Sequence, residues 1–300
     1  MPFQTKIQSQ FPNAKIFINE PLKNHSSFKI GGPASVMIVP ENEKELINVL
    51  KFCKNEEINF FILGKGSNVL FSDNGFDGVV IKISDGFNKM SFDGDFAFCE
   101  SGTSLANFTM NCAKNGLSGL EFASGIPGTL GGAIFMNAGA YEHSISECLH
   151  EVRYLDSDYN VAILNKDQCN MGYRSSIFSK NNYVILSASF KLDNEKPEII
   201  KQRIKDFNDQ RKSKQPINYP SAGSVFKRPQ NSFAGMLIEQ AGLKGKSIGG
   251  AEVSQKHAGF IINKGDATAK DVIELIDLIK DKVYNDFLIS LELEIKLIGL

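Results

Sequence analysis

Residues 121–139, Glu121-Phe-Ala-Ser-Gly-Ile-Pro-Gly-Thr-Leu-Gly-Gly-Ala-Ile-Phe-Met-Asn-Ala-Gly139, constrain this chain more than any other stretch. Five glycines (Gly125, Gly128, Gly131, Gly132 and Gly139) and Pro127 stand among apolar residues, and Glu121 is the only charge. Glycine lets another backbone or a ligand approach without a Cβ in the way. A flexible linker would be polar, so the segment reads as buried or as covering something flat. A tight turn between two core strands fits the composition as well as a cofactor loop does.

At 300 residues the chain is long enough for two domains, each with its own core. With 33 basic and 34 acidic residues the net charge is −1, so no global field attracts nucleic acid or an anionic membrane. Any anionic ligand must be held by a local cluster. Residues 1–12 lack the apolar core of a signal peptide, and runs such as 59–63 and 259–263 are strand-sized, which argues against membrane insertion. Five scattered cysteines form no Cys-x-x-Cys pair, and the four histidines show no metal-ligand spacing. The expectation is a cytoplasmic protein without metal or obligate protein partner, acting on small molecules.

Periodicity orders the elements. A strand over 36–39 ends at Pro40, Asn42 with Glu45 opens a helix carrying Leu46, Val49, Leu50 and Cys53, and 58–63 is an apolar strand. That strand runs into Gly64-Lys-Gly-Ser-Asn68, and a further strand over 78–83 follows the Asp73-Asn-Gly turn. The β-α-β order puts residues 64–68 at the carboxyl end of a strand, where ligands of α/β units commonly sit. A second helix carries Leu105, Phe108, Cys112 and Ala113 and closes at Gly116. Short strands follow around 151–155, 161–164 and 183–192. Residues 198–214 form a helix with Ile200, Ile204 and Phe207 on one face. Its Lys201, Arg203, Lys205, Arg211, Lys212 and Lys214 read as a solvated face. Pro216 and Pro220 bracket the loop after it. A short helix over 233–241, a strand over 259–263, a helix opened by a Thr268/Asp271 capping box and a terminal strand over 288–298 complete the chain. The domain boundary is placed near 195: residues 1–195, in two parts of about 15–83 and 84–195, then 196–300.

Neither glycine loop fits a common nucleotide fingerprint. A Walker-type loop would need glycine at position 59, which is Asn59, and the Rossmann pattern fails at Val69. Successive backbone N–H groups in such loops still form anion-binding nests. Two of them would suit a pyrophosphate, with Ser67, Asn68, Ser124, Thr129 and Asn137 as neighbouring donors and acceptors.

Further motifs are Asn24-His-Ser-Ser-Phe-Lys-Ile-Gly-Gly32, Tyr173-Arg-Ser-Ser-Ile-Phe178, Pro220-Ser-Ala-Gly-Ser-Val-Phe226, Gly242-Leu-Lys-Gly245, Val253-Ser-Gln-Lys-His257 and Leu291-Glu-Leu-Glu294. Taken in order with the two glycine loops, they make the chain, over about residues 24–299, resemble the UDP-N-acetylenolpyruvoylglucosamine reductases of peptidoglycan precursor synthesis. The resemblance implies an α+β protein: an FAD-binding region of the vanillyl-alcohol-oxidase (PCMH) type and a smaller C-terminal α/β substrate domain. It implies non-covalent FAD, held by Gly64, Lys65, Gly66, Ser67 and Asn68 and by Ser124, Gly125, Ile126, Pro127, Gly128, Thr129, Gly131, Gly132, Ala133 and Asn137. NADPH is the implied hydride donor. Only residues 175–223 separate Arg174 from Ser224, as in the shorter family form without an inserted tyrosine loop.

The implied reaction reduces an enolpyruvyl ether to a lactyl ether and calls for a proton donor and for stabilisers of enolate-like charge. The family match makes Ser224 the donor, Arg174 the holder of the substrate carboxylate, and Glu294 the third catalytic residue. Without the match, Ser224 would read as a turn serine and Arg174 as a surface ion-pair partner. Alternation puts Glu292 and Glu294 on one face, and only the family pattern selects Glu294. Lys214, Arg228, Tyr173 and His257 are the implied substrate contacts. Some relatives carry asparagine where this chain has Arg228, and His257 reads equally as structural. Two other readings stay open: an FAD oxidoreductase of the same fold oxidising an alcohol or lactone, or a nucleotide-sugar-binding protein without activity.

Overall fold

A computed structural model describes residues 3–300; Met1 and Pro2 lie outside the described residues. The chain divides into two compact units that interleave in sequence. The first contains the segments ending at Ile16, Met37–Lys65 and Val79–Arg211; the second contains Phe17–Val36, Gly66–Gly78 and Lys212–Leu300. A single cut near 195 was the expectation from sequence. Compactness instead groups 17–36 and 66–78 with the C-terminal third, because Phe28, Ile30 and Leu70 bury their side chains in the same apolar cluster as Val225, Ile261 and Ile276.

In the first unit, a five-stranded antiparallel sheet runs in the order Val161–Asn165, Leu149–Leu155, Val184–Lys191, Phe96–Glu100, Met90–Asp93. Register sets its faces: Ala188 pairs with Cys99 and Phe190 with Ala97, and all four are buried. Phe98, between them, points outward at 43% exposure, as two-residue periodicity requires. The helix Leu105–Lys114 lays Leu105, Phe108 and Cys112 into the same core, with the Phe108 and Phe190 rings 5.3 Å apart. Burying one such phenylalanine contributes on the order of 2 kcal/mol. The strand Phe60–Leu63 pairs in parallel with Phe76–Lys82 through Phe60↔Val79 and Leu63↔Lys82. Asn42 caps the helix Glu43–Asn55, its side chain accepting from the Glu45 N–H at 3.0 Å.

The second unit packs the helix Ala269–Phe287 through Val272, Leu275, Ile276, Ile279 and Val283. One of its sheets is three-stranded and antiparallel, Ser247–Ile248, Ala251–Val253 and Ile261–Asn263. The Thr268/Asp271 capping box forms, and Asp73 adds its carboxylate, accepting from Ala269 N at 2.8 Å and Lys270 N at 3.1 Å. A carboxylate there satisfies open N–H groups and opposes the helix dipole.

The expected strand over 288–298 is not one strand. Leu288 ends the long helix in a left-handed conformation (φ 57°), donating to the Tyr284 carbonyl at 2.8 Å. Beyond it, Leu293 bridges Phe226, and only Lys296–Ile298 forms a strand, parallel to Val69–Phe71. The apolar run has two short pairing partners in place of one long one, so it bends between them.

Candidate functional site

Segment 121–139 is neither a two-strand turn nor a simple loop. A 3-10 turn, Glu121–Ala123, leads through Ser124 and the glycines into a short helix, Leu130–Phe135. Thr129 caps that helix, its Oγ1 accepting the Gly132 N–H at 3.3 Å. Loop 101–105 is stitched alongside: Leu130 N donates to Thr103 O at 2.9 Å, Gly131 N to Ser101 O at 2.8 Å, and Leu105 N to Gly128 O at 3.1 Å. Much of the glycine content serves this packing. A Cβ at Gly64 would stand 2.5 Å from Thr129 Oγ1, and one at Gly131 would stand 2.9 Å from Ser101 Cβ. Gly132 is exposed and faces open space beyond Thr129.

The walls of this loop carry polar groups that the protein leaves unused. The hydroxyls of Ser101 and Ser124 are buried and have no hydrogen-bond partner among the described residues. An unmade buried hydrogen bond costs roughly 1–3 kcal/mol, so two beside one glycine loop fit a ligand rich in acceptors. FAD, with its pyrophosphate and its heterocycle, is such a ligand. Ile126 is half-buried against the sheet core, Pro127 is exposed, Gly128 is half-buried and Ala133 is buried in the short helix. Lys65 is exposed and donates to Ser104 Oγ at 2.8 Å. Asn137 is committed elsewhere: its amide nitrogen donates to Gly172 O at 3.0 Å and its oxygen accepts from Ser146 N at 3.2 Å.

Those bonds support the turn that presents Arg174. Gly172 and Ser175 exchange backbone bonds of 2.9 and 3.2 Å, leaving Tyr173 and Arg174 at the tip. Arg174 holds φ at 52°, an uncommon conformation for a side chain of its size. Its guanidinium lies 5.2 Å from the centre of the exposed Tyr173 ring, and its Nη2 donates to Gly139 O at 3.5 Å. This turn belongs to the first unit.

Ser224 and Glu294 belong to the second. Gly223, at φ 79°, sets the turn before Ser224. Val225 N donates to Gly259 O at 2.9 Å, Glu294 N donates to Val225 O at 2.8 Å, and Lys227 N donates to Glu292 O at 2.8 Å. The segments bearing the serine and the glutamate therefore run side by side. The Ser224 hydroxyl donates to its own loop at Phe226 O, 3.2 Å away. Asn68 Nδ2 donates to Glu294 O at 3.2 Å, so the 66–68 segment braces the glutamate backbone. Gly66 packs on His25 and Ser26 and accepts from Ser27 N at 3.0 Å, with half-buried Ser67 beside it. Glu292 is 75% exposed and pairs with Lys227 at 3.0 Å, whereas Glu294 is half-buried.

His257 adjoins this junction. A Cβ at Gly259 would lie 3.0 Å from the imidazole and 3.4 Å from Ser224 Oγ. The imidazole Nδ1 accepts the Gly259 N–H at 3.1 Å, which leaves the ring proton on Nε2. Burial pushes its pKa down, so the neutral form is favoured. Arg228 stacks 4.0 Å over the Phe233 ring, and Lys214 is exposed at the end of helix Pro197–Lys214. Among the described residues no cluster of His, Cys, Asp and Glu could hold a metal. Burial pushes the Cys53 and Cys99 thiols up to about 12, so both stay protonated.

Two groups escaped the sequence reading. Ser101 sits outside every motif and offers no signal. The charge pattern of 198–214 puts Arg211 on a solvated face, yet it is half-buried against the glycine loop. Helical phase could have found it, since it follows buried Ile204 by seven residues, two turns on the same stripe.

Comparison with known proteins bears on this arrangement. A family model of an FAD binding domain matches residues 34–162, and one described as UDP-N-acetylenolpyruvoylglucosamine reductase, C-terminal domain, matches 215–298. The UDP-N-acetylenolpyruvoylglucosamine reductase of Clostridium botulinum (strain Langeland) is 47% identical over 287 residues, covering 96% of this chain and 94% of that one. This chain belongs to the UDP-N-acetylenolpyruvoylglucosamine reductase family. The Syntrophomonas wolfei reductase is 46% identical, with 96% of each chain covered. The crystal structure of the Thermus caldophilus reductase superposes with a TM-score of 0.81 at 32% identity, over 96% of this chain and 99% of that one. The α+β class and the flavin oxidoreductase assignment expected from the motifs both stand, with FAD as cofactor. No helix among the described residues is long and apolar enough to cross a membrane.

Proposed function

We propose that this chain reduces UDP-N-acetylglucosamine enolpyruvate to UDP-N-acetylmuramate, with NADPH as reductant and non-covalent FAD as carrier. The observation that carries the catalytic assignment is the pairing of the Ser224 and Glu294 segments, far apart in sequence, through the 2.8 Å bond from Glu294 N to Val225 O. Near-full-length similarity to the Clostridium botulinum reductase supports the substrate. No histidine lies within 121–139, which supports a non-covalent flavin.

Bound FAD would supply the hydride chemistry between NADPH and C3 of the enolpyruvyl group. Loop 124–133 and residues 64–68 would hold the dinucleotide, and the orphan hydroxyls of Ser101 and Ser124 would find their acceptors there. Arg174 grips the substrate carboxylate and opposes the negative charge that grows on it; its always-charged fork suits that task. Ser224 delivers the proton to C2. A serine hydroxyl is a weak acid, and half-buried Glu294 orients the group that receives or passes on the proton. Lys214 and Arg228 meet the diphosphate, Tyr173 borders the sugar, and neutral His257 offers its Nε2–H to an acceptor on substrate or nicotinamide.

The test is anaerobic. Purified protein should be yellow, release FAD on denaturation, bleach with NADPH, and recover its colour with the enolpyruvyl nucleotide sugar. Protein that stays colourless after incubation with FAD would overturn the reading. Bleaching by a simple alcohol in place of NADPH would favour an oxidase of related fold.

A further inference from the structure

Helix Pro197–Lys214 runs along the 118–125 segment, and its two arginines there are treated differently. Arg203 has carboxylates: its Nη1 lies 3.5 Å from Glu121 Oε1 and its Nη2 lies 3.5 Å from Glu195 Oε2. Two turns further on, Arg211 has none. It makes no ion pair or hydrogen bond with any described residue, although burial is enough to depress its pKa. Its side chain crosses the glycine loop: a Cβ at Gly125 would stand 2.9 Å from Arg211 Cδ and 2.7 Å from Asn208 Oδ1. The next residue back, Ser124, carries one of the orphan buried hydroxyls. On the same face of the helix, Phe207 stacks on Tyr141 with centroids 4.8 Å apart, and the Tyr141 hydroxyl donates to Phe207 O at 2.9 Å, so the helix is fixed in place beside the loop.

A half-buried, permanently charged guanidinium without a counter-ion is destabilising unless something negative completes it. Beside it stands a second donor without an acceptor, and both border the loop assigned to FAD. We infer that Arg211 and Ser124 form an anion-receiving subsite that is completed by a negatively charged part of bound FAD. The inference rests on the FAD reading above. Two parts of the flavin share the required chemistry. The pyrophosphate is charged in both redox states, and the N1–C2=O edge of the ring gains negative charge only on reduction. Arg211 is a binding residue toward the cofactor, with no proton to give.

The experiment compares wild type with Arg211→Met and Arg211→Lys, measuring FAD binding to apo-protein by fluorescence quenching and the midpoint potential of bound flavin. Loss of a charge-assisted contact should weaken Arg211→Met by about 10- to 100-fold, with Arg211→Lys closer to wild type. If the pyrophosphate is the partner, affinity for oxidised FAD falls while affinity for riboflavin does not. If the ring edge is the partner, oxidised FAD binds normally and the midpoint potential drops, by about 30 mV for a tenfold preferential loss of the reduced form. Unchanged affinity and potential, with or without weaker binding of the nucleotide sugar, would overturn the inference. Wild-type protein that binds no FAD would instead sink the functional reading. Because an unpaired, half-buried charge costs stability, apo Arg211→Met should have a thermal midpoint no lower than that of apo wild type. Should it fail to fold, Arg211→Lys and Ser124→Ala carry the same two readouts.

Discussion

Gly64→Ala tests how much of the glycine content serves the protein's own packing. Gly64 does not hold a left-handed φ, so backbone strain is not the issue and space alone decides. The added methyl would stand 2.5 Å from Thr129 Oγ1 and 3.3 Å from its Cγ2. Thr129 must then move, and Thr129 is the cap of the helix Leu130–Phe135. Losing that cap costs about 1 kcal/mol, and overfilling a packed site costs about 1–3 kcal/mol. Gly64→Ala should therefore destabilise the protein by about 2–3 kcal/mol, and Thr129→Ala alone by about 1 kcal/mol. The double variant is the decisive one. With the hydroxyl and Cγ2 gone, the nearest remaining atom is Thr129 Cβ at 3.5 Å, an ordinary contact. The pair should then lose little more than Thr129→Ala alone, a coupling of about 2–3 kcal/mol in a double-mutant cycle followed by urea unfolding. Additive losses would refute the steric argument and put the need for glycine at 64 down to the ligand or another neighbour.

Ser224→Ala should leave bleaching of the flavin by NADPH near normal and slow reoxidation by the enolpyruvyl sugar by about 100-fold or more; equal slowing of both half-reactions in stopped flow would make Ser224 structural. Lys214→Ala should weaken substrate binding by about tenfold with little change in flavin reduction, and an unchanged affinity in calorimetry removes Lys214 from the site. Asp271 is held below the usual carboxylate range, chiefly by the Thr268 N–H and also by the Gly250 N–H. Its contribution is full above the unfolded value of about 4 and is lost as pH falls through the lower folded value. Asp271→Asn should thus narrow its stability gap from wild type as pH drops below 4, and a gap constant from pH 7 to pH 3 would contradict this.

Local signals read well from the sequence. Asn42, Thr268 and Gly116 mark helix ends through groups within three residues of one another, and the stripes Leu46, Val49, Leu50, Cys53 and Val272, Leu275, Ile276, Ile279, Val283 are buried as their spacing requires. The terminal strand did not read so well, because pairing depends on which partner is present. The run 288–298 alternates like a strand, but 225–227 pairs only with residues 292–294 and Val69–Phe71 only with Lys296–Ile298. Arg211 was missed for a related reason: a charge count cannot tell a solvated arginine from one laid across Gly125.

For the site, the motifs around Arg174, Ser224 and Glu294 carried the family and with it the expected chemistry. Glycine clustering alone could not separate a packed turn from a cofactor loop, since Gly64 and Gly131 answer to Thr129 and Ser101 while a Cβ at Gly132 would meet only Thr129 Oγ1 at an ordinary 3.5 Å. Residue type and short spacing determined the helices, their caps and the family. Only the tertiary structure decided which polar groups are left without partners, because that depends on which distant segments come to lie beside them. Ser124 and Arg211 are adjacent through a helix that begins more than seventy residues after Ser124, and no local pattern encodes that meeting.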